Sequence, residues 1–172
     1  MKVDEQRLDI GGGKAIDEYH LISTSPWVAT VAVDESGCLI LVEQYRHGAG
    51  RLSLELPAGV MEAGEAPAEA ARRELREETG YDATSFEPLL EVCPEPARNR
   101  TRAHLFVATG AVRVGDLRLD ETENIDVVVT SLADVFDAID DGRIVHGVHI
   151  GAILLAHRRG LLVSRFAESG TM

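Results

Sequence analysis

RRELREETG, residues 72–80, crowds three glutamates and three arginines into nine positions. Side chains three and four positions apart lie on the same side of an α-helix, so Glu74 would face both Glu77 and Glu78. Like charges at these spacings destabilise an isolated helix by about 0.2–0.5 kcal/mol per pair. A sequence that keeps three of them on one patch therefore raises the question of which positive charge compensates them.

The surrounding sequence predicts that this stretch is helical. Residues 66–79 are rich in alanine, with a proline in the first turn and Gly80 after the last, an arrangement typical of a complete helix. Arg73 lies four residues before Glu77 and four after Glu69. We expect Arg73 to pair with both and to orient the carboxylates from the side.

The segment before the helix, LPAGVMEAGE (56–65), predicts a tight loop bracketed by Gly59 and Gly64. Glycine lets a backbone turn sharply and lets a ligand approach closely. Carboxylate oxygens are the ligands that hard cations such as Mg²⁺ prefer, so the helix glutamates beside this loop are candidate metal ligands. The alternative is a solvated helix surface laced with ion pairs, which is the usual explanation of such a charge run.

The spacing of these residues resembles the Nudix box. From Gly59 to Tyr81 the sequence reads G-x5-E-x7-R-E-Leu-x-E-E-x-G-Tyr, with Tyr81 where an aliphatic residue is more usual. Flanking segments are similar to the ADP-ribose pyrophosphatase branch of the Nudix hydrolases, and the resemblance covers roughly residues 27–160. Those segments are VEQYRHG (42–48), LELPAG (54–59) and DETENIDVVV (120–129).

The resemblance implies an enzyme in which water attacks the diphosphate of a nucleoside diphosphate linked to another group. It implies Mg²⁺ or Mn²⁺ as the cofactor, because such ions neutralise charge in the transition state of phosphoryl transfer. The implied metal ligands are the carboxylates of Glu74, Glu77 and Glu78 and the backbone carbonyl of Ala58, with Glu65 as a weaker candidate. Structural support would come from Gly59, Arg73 and Gly80.

The resemblance also implies a general base from an acidic loop far along the chain. We predict a surface loop over residues 112–124, whose acidic tip carries Asp120, Glu121 and Glu123. Glu121 or Glu123 is the predicted base, with Glu77 as a further catalytic residue, and the sequence does not separate the first two. The alternative is a solvated tip with no catalytic role.

Arg46, Trp27 and Arg98 are the candidates for contacting substrate. Arg46 matches an arginine that contacts phosphate or ribose in the branch, although a charge at a strand end has the same pattern. Trp27 could stack on a base, but a core anchor is the commoner role of a tryptophan. Arg98 lies in a basic segment, ARNRTR (97–102), where the branch is commonly acidic, so a solvated loop explains it equally well.

Because residues 97–102 are basic where the branch is commonly acidic, the sequence does not decide which substrate is cleaved. ADP-ribose is the expected nucleoside diphosphate sugar, and GDP-mannose, an oxidised nucleotide or an RNA 5′ end are alternatives within the hydrolases. A module that senses a nucleotide without cleaving it is the alternative of another class. His146, His149 and His157 are too scattered along the chain to indicate a further site.

The order of elements predicts an α/β fold, a mixed sheet between helices in an α/β/α sandwich. We expect one domain over residues 1–172, in which residues 1–22 form an N-terminal hairpin that contributes to a homodimer interface. Predicted strands fall at 27–33, 38–46, 54–60, 83–93, 103–110 and 125–132, and residues 47–53 are predicted as a loop. Two helices are predicted to follow the last strand, in LADVFDAIDDG (132–142) and HIGAILLAHRRG (149–160).

Composition narrows the class of partner. The net charge is −12, from 29 acidic and 17 basic residues, which is not the basic footprint of a nucleic-acid binder. There is no apolar run of membrane-spanning length, residues 1–13 show no apolar region typical of a signal peptide, and the two cysteines lack the spacing of a zinc site. We therefore expect a cytoplasmic protein that binds neither nucleic acid nor membrane.

Overall fold

The computed structural model describes residues 1–120 and 123–162. The strands are β1 (Lys2–Gly11), β2 (Lys14–Ser23), β3 (Trp27–Asp34), β4 (Leu39–Arg46), β5 (Arg51–Glu55), β6 (Ala58–Val60), β7 (Tyr81–Val92), β8 (Ala103–Arg113) and β9 (Ile125–Thr130). The helices are α1 (Pro67–Thr79), α2 (Leu132–Asp140) and α3 (Gly147–Arg158).

The N-terminal hairpin forms as predicted and is a sheet of its own. β1 and β2 pair antiparallel over most of their length, and the glycines at 11–13 all have positive φ, which glycine adopts without steric strain. The hairpin is tied to the segment after β7, because the Ile22 N–H donates to Arg98 O (2.7 Å) and the Arg100 N–H donates to Ile22 O (2.9 Å). Its place in a dimer interface stays a prediction.

The main sheet is mixed, as predicted. Along its central path the order is β5-β4-β3-β8-β7, with β6 paired to β3 and β9 paired to β4. β3 and β8 run parallel, and the other pairs are antiparallel. β6 borders the start of β3, so the glycine loop, whose first glycine Gly59 lies in β6, leaves the sheet directly beside α1.

Helices cover both faces of this sheet, so the predicted α/β/α sandwich is confirmed. Successive side chains of a strand point to opposite faces. On β3, Ala29 and Val31 pack in one core cluster with residues of α2 and α3. Val28 and Ala32 pack in clusters with residues of α1.

Most strand ends differ from the predictions by one to three residues, and two of the differences have a clear physical reason. β5 begins at Arg51, inside the predicted loop, because residues 51–53 pair with the end of β4. The predicted strand 54–60 is divided at Leu56 and Pro57, where proline has no N–H for a ladder. None of the helices in the described part of the chain is long and apolar enough to cross a membrane.

Candidate active site

The termini of α1 are fixed by the residues that predicted them. Pro67 is the first helical residue, where the missing N–H is not needed. Gly80 caps the other end with φ 71°, a left-handed conformation that glycine adopts most readily. A Cβ on Gly80 would lie 2.4 Å from Gly115 O, so this position has neither the backbone conformation nor the space for a side chain.

Glu78 is the most deeply buried carboxylate of α1, at 4% exposure. One of its oxygens accepts the Ala58 N–H at 2.9 Å. Burial raises the pKa of the Glu78 carboxyl to about 8, and the charges of Glu74 and Glu123 add to the rise, while the Ala58 N–H opposes it. A carboxylate in this environment is stabilised by a proton or by a cation.

Glu74 is held against the glycine loop. A Cβ on Gly59 would lie 2.1 Å from Cδ of Glu74, so the loop approaches the carboxylate at a distance that only glycine permits. Burial raises the pKa of Glu74, and Glu77 and Glu123 act in the same direction. The approach of Gly59 forms a cradle for the Glu74 carboxylate.

Arg73 is the counter-ion of this group. Its guanidinium donates to Glu65 (2.9 Å, from Nε and from Nη2), to Glu74 (2.8 Å) and to Glu77 (3.0 Å). The predicted pairing of Arg73 with Glu77 is present. The predicted pairing with Glu69 is wrong, because Glu69 accepts the N–H of Ala66 at the start of the helix instead.

The helix glutamates are not drawn into one tight cluster. Across residues 1–120 and 123–162, one set of potential metal-ligating residues has all its ligand atoms within 4.8 Å of one another, and it is Glu5, Glu18 and His20 on the hairpin. On α1, Nη1 of Arg73 lies between Glu74 and Glu77 and bonds to both. A cation at these two oxygens would therefore compete with Arg73.

The backbone of Ala58 faces the same group. In the β3–β6 ladder Ala58 lies opposite Ala29, and the neighbouring Thr30 N–H donates to Pro57 O. Ala58 therefore belongs to a pair whose own N–H and C=O point away from β3. The N–H of Ala58 meets Glu78, and its carbonyl shares that direction, which supports the carbonyl as a candidate ligand.

Arg46, from the end of β4, borders the carboxylates. It donates to Glu55 through Nε (2.8 Å) and Nη2 (2.5 Å). The hydrogen bond to Glu55 raises the pKa of Arg46, and the charges of Glu78 and Glu123 act in the same direction. Glu123 therefore lies close enough to influence three groups of the site, whereas Glu121, the other candidate base, lies outside the described residues.

These features lie in one matched region of sequence. The family model for the NUDIX domain matches residues 24–166, which includes the glycine loop, α1 and the acidic loop. The chain belongs to the Nudix family. The predicted membership is thereby confirmed.

Named Nudix relatives cover most of the chain. It is 35% identical over 159 residues to an ADP-ribose pyrophosphatase of Mycobacterium tuberculosis, covering 91% of this chain and 75% of the relative. It is 31% identical over 138 residues to an ADP-ribose pyrophosphatase of Bacillus subtilis, covering 80% and 74%. A crystal structure of an ADP compounds hydrolase superposes with a TM-score of 0.81 at 25% identity, covering 92% of this chain and 86% of that one. The chain is a Nudix hydrolase of the α/β/α fold.

Trp27 and Arg98, two residues of this Nudix domain predicted to contact substrate, pack against residues outside α1. Trp27 is half-buried, packs against the core, and meets the rings of His146 and His149 edge-on. Arg98 places its guanidinium over the ring of Tyr19 on the hairpin, 5.5 Å from its centroid. Both contacts are compatible with structural roles, and binding of substrate by either residue stays a prediction.

Sequence reasoning missed two buried polar residues, Glu55 and His149, each 1% exposed. The rings of His146 and His149 stack with their centroids 4.0 Å apart, so these histidines are not scattered in space. His149 accepts the Leu56 N–H on Nδ1 at 3.3 Å. A charge inside the apolar run LELPAG was the signal for Glu55, and a histidine within an apolar helix was the weaker signal for His149.

Proposed function

We propose that this protein hydrolyses the diphosphate of a nucleoside diphosphate sugar, with ADP-ribose as the expected substrate and AMP and ribose 5-phosphate as products. The observation that carries the proposal is the confinement of Glu74 and Glu78 against Gly59 and Ala58. The names of the Mycobacterium and Bacillus relatives support the choice of ADP-ribose.

The residues of the site fit a divalent cation, Mg²⁺ or Mn²⁺. The donor set is all oxygen, which both ions accept, and the Gly59 cradle keeps the Glu74 carboxylate in place. Glu74, Glu77, Glu78 and the Ala58 carbonyl would hold the cation, with Glu65 further out on Arg73. When bound, such a cation neutralises charge on the diphosphate oxygens and lowers the pKa of water.

The chain's own residues supply positioning and proton transfer. Arg73 holds Glu65, Glu74 and Glu77 in one arrangement. Arg46 presents a positive charge on which the charge of Glu78 acts, and this guanidinium would meet a phosphate oxygen. Glu123 or Glu121 would accept the proton of the attacking water, and the charge of Glu123 acts on Glu74 and Glu78.

The further predictions of the sequence belong to the same proposal. Trp27 and Arg98 would contact the base or the sugar, and Glu77, whose side chain is 40% exposed, would act beside the ligands. The hairpin would contribute to a homodimer. Light scattering on the purified chain, with and without residues 1–22, tests that assembly.

A substrate panel tests the function. We expect the purified protein in Mg²⁺ to release phosphomonoesters, measured as phosphate after phosphatase treatment. Release from ADP-ribose should be faster than from GDP-mannose, an oxidised nucleoside triphosphate or capped RNA. Glu74→Gln is the matched loss-of-function control, and Glu91→Gln, at an exposed ion pair of β7, should behave as wild type. Cleavage of capped RNA alone would assign a different substrate class, and cleavage of no member would contradict the proposal.

A further inference from the structure

Glu55 is a buried acid that belongs to none of the predicted sets of site residues. Its side chain is 1% exposed, while that of its partner Arg46 is 42% exposed. The two carboxylate oxygens accept separately, one from Nε and one from Nη2 of Arg46. This bidentate arrangement fixes the plane of the guanidinium as well as its position.

Stability of the sheet does not explain a buried acid at this position. β4 and β5 are already paired from Val42 opposite Glu55 to Arg46 opposite Arg51. Burying a charged pair carries a desolvation penalty that its attraction often fails to recover, and apolar residues of similar volume commonly serve as well. The pair therefore points to a requirement for the orientation of Arg46.

The pairing leaves one end of the guanidinium available. Glu55 takes Nε and one hydrogen of Nη2, so Nη1 and the second hydrogen of Nη2 can donate elsewhere. The charges of Glu78 and Glu123 act on Arg46, so this arginine stands at the border of the glutamate group. We expect a diphosphate held at those glutamates to meet this free end.

His149 also lies beside the Glu55 carboxylate. Its Nδ1 lies 3.3 Å from the Leu56 N and 3.9 Å from a Glu55 oxygen. Burial lowers the pKa of His149 well below its usual value, so the ring is neutral, and acceptance of the Leu56 N–H puts its proton on Nε2. Nδ1 therefore offers Glu55 no hydrogen, which leaves Arg46 as the donor to that carboxylate.

We propose that Glu55 is a positioning residue, which holds the free end of Arg46 toward the diphosphate of the substrate while His149 fixes the backbone beside it. This inference rests on the proposed function, because it needs a diphosphate at the glutamate group. It adds to the site a residue that does not touch the substrate and acts only through Arg46.

A double-mutant cycle distinguishes positioning from general support of the fold. The readout is the dissociation constant of ADP in Mg²⁺, measured by calorimetry on wild type, Glu55→Gln, Arg46→Met and the double variant, with thermal unfolding as the check of folding. ADP carries the diphosphate without requiring turnover, so the result is independent of which sugar is cleaved. Glu91→Gln is the surface control.

We expect Glu55→Gln to weaken ADP binding at least about tenfold in the wild-type background. In the Arg46→Met background the same substitution should weaken binding no further, because the effects of substitutions at two coupled residues are not additive. Mn²⁺ binding without nucleotide should be unchanged in Glu55→Gln. If Glu55→Gln does not fold, Glu55→Asp is the substitute. It keeps the negative charge but shortens the side chain by one methylene, so the carboxylate no longer reaches Arg46 and ADP binding should weaken to the same extent.

Additive losses in the double variant, or unchanged ADP binding in folded Glu55→Gln or Glu55→Asp, would overturn the inference, as would a wild type that binds no ADP. Failure of the proposed function would give a different set of results. In that case the wild type binds ADP and shows the non-additive cycle, but it releases no phosphomonoester from any nucleoside diphosphate sugar.

Discussion

The Glu74 carboxylate packs on Gly59 so closely that no side chain fits between them. A Cβ built on Gly59 meets all three terminal atoms of Glu74, at 2.1–2.3 Å. The loop and the helix are therefore coupled at one point. The conformation of residues before α1 decides where a candidate ligand on α1 can lie.

Gly59→Ala should abolish most of the activity while leaving the fold in place. The backbone at Gly59 does not have positive φ, so alanine fits the backbone conformation, but its Cβ displaces the Glu74 carboxylate by about 1 Å. A displacement of this size lowers kcat/KM by about 100-fold. Gly48→Ala, at a position with open space and no positive φ, is the control. Equal activity of the two variants would show that the position of Glu74 is irrelevant.

Glu78→Gln should stabilise the protein in excess chelator at alkaline pH. The pKa of Glu78 is raised to about 8 from 4.5, so the folded state holds a proton that the unfolded state releases between these values. The free energy of unfolding of the wild type therefore falls as pH rises through this window. Above pH 8 the variant, which has no such proton to lose, should be more stable by about 1–4 kcal/mol.

Denaturant unfolding at pH 5, 7 and 9 measures this difference. Mg²⁺ supplies the control, because it should stabilise the wild type and leave the variant unchanged. Parallel stability profiles of the two proteins in chelator would refute the assignment of a buried, proton-holding Glu78.

Arg73→Ala should destabilise the chelated protein by about 1–3 kcal/mol, since it leaves Glu65, Glu74 and Glu77 without their shared donor. The magnitude is moderate because the Arg73 side chain is 25% exposed and solvent screens the pairs. Arg102→Ala, in a longer and more exposed pair with Glu91, should cost less than about 1 kcal/mol. An Arg73 variant as stable as Arg102→Ala would mean that the glutamates need no counter-ion.

Glu123→Gln should lower kcat by about 100-fold or more, the usual contribution of a general base, and should leave ADP binding nearly unchanged. Glu121→Gln is the matched comparison from the same loop. Stopped assays at saturating ADP-ribose separate the two. Near-normal turnover in both variants would show that the general base is another residue.

The sequence predicts the helix and the sheet well because their determinants are local. Pro67 and Gly80 mark α1, and the β-branched run of β3 marks a central strand. The strand at Arg51–Ser53 was predicted as loop because its glycine-rich approach gives no local strand signal, and pairing with β4 decides it.

The site was predictable only in part, because some of its contacts join residues that are distant in the sequence. Glu74, Glu77 and Glu78 follow from spacing on one helix, whereas the partners of Arg73 depend on the path of the loop that carries Glu65. Leu56, next to Glu55, meets His149 across 93 positions of sequence, and no local pattern encodes that contact.

Titration of the protein with Mn²⁺, followed by the electron paramagnetic resonance of the free ion, tests the central claim most directly. It is done with and without an ADP-ribose analogue whose diphosphate bridge is a methylene. We predict that the wild type takes up Mn²⁺, that the analogue increases the uptake, and that Glu74→Gln and Glu78→Gln lose it while His20→Ala, on the hairpin cluster, keeps it. Uptake that persists in both glutamate variants and disappears in His20→Ala would contradict the account.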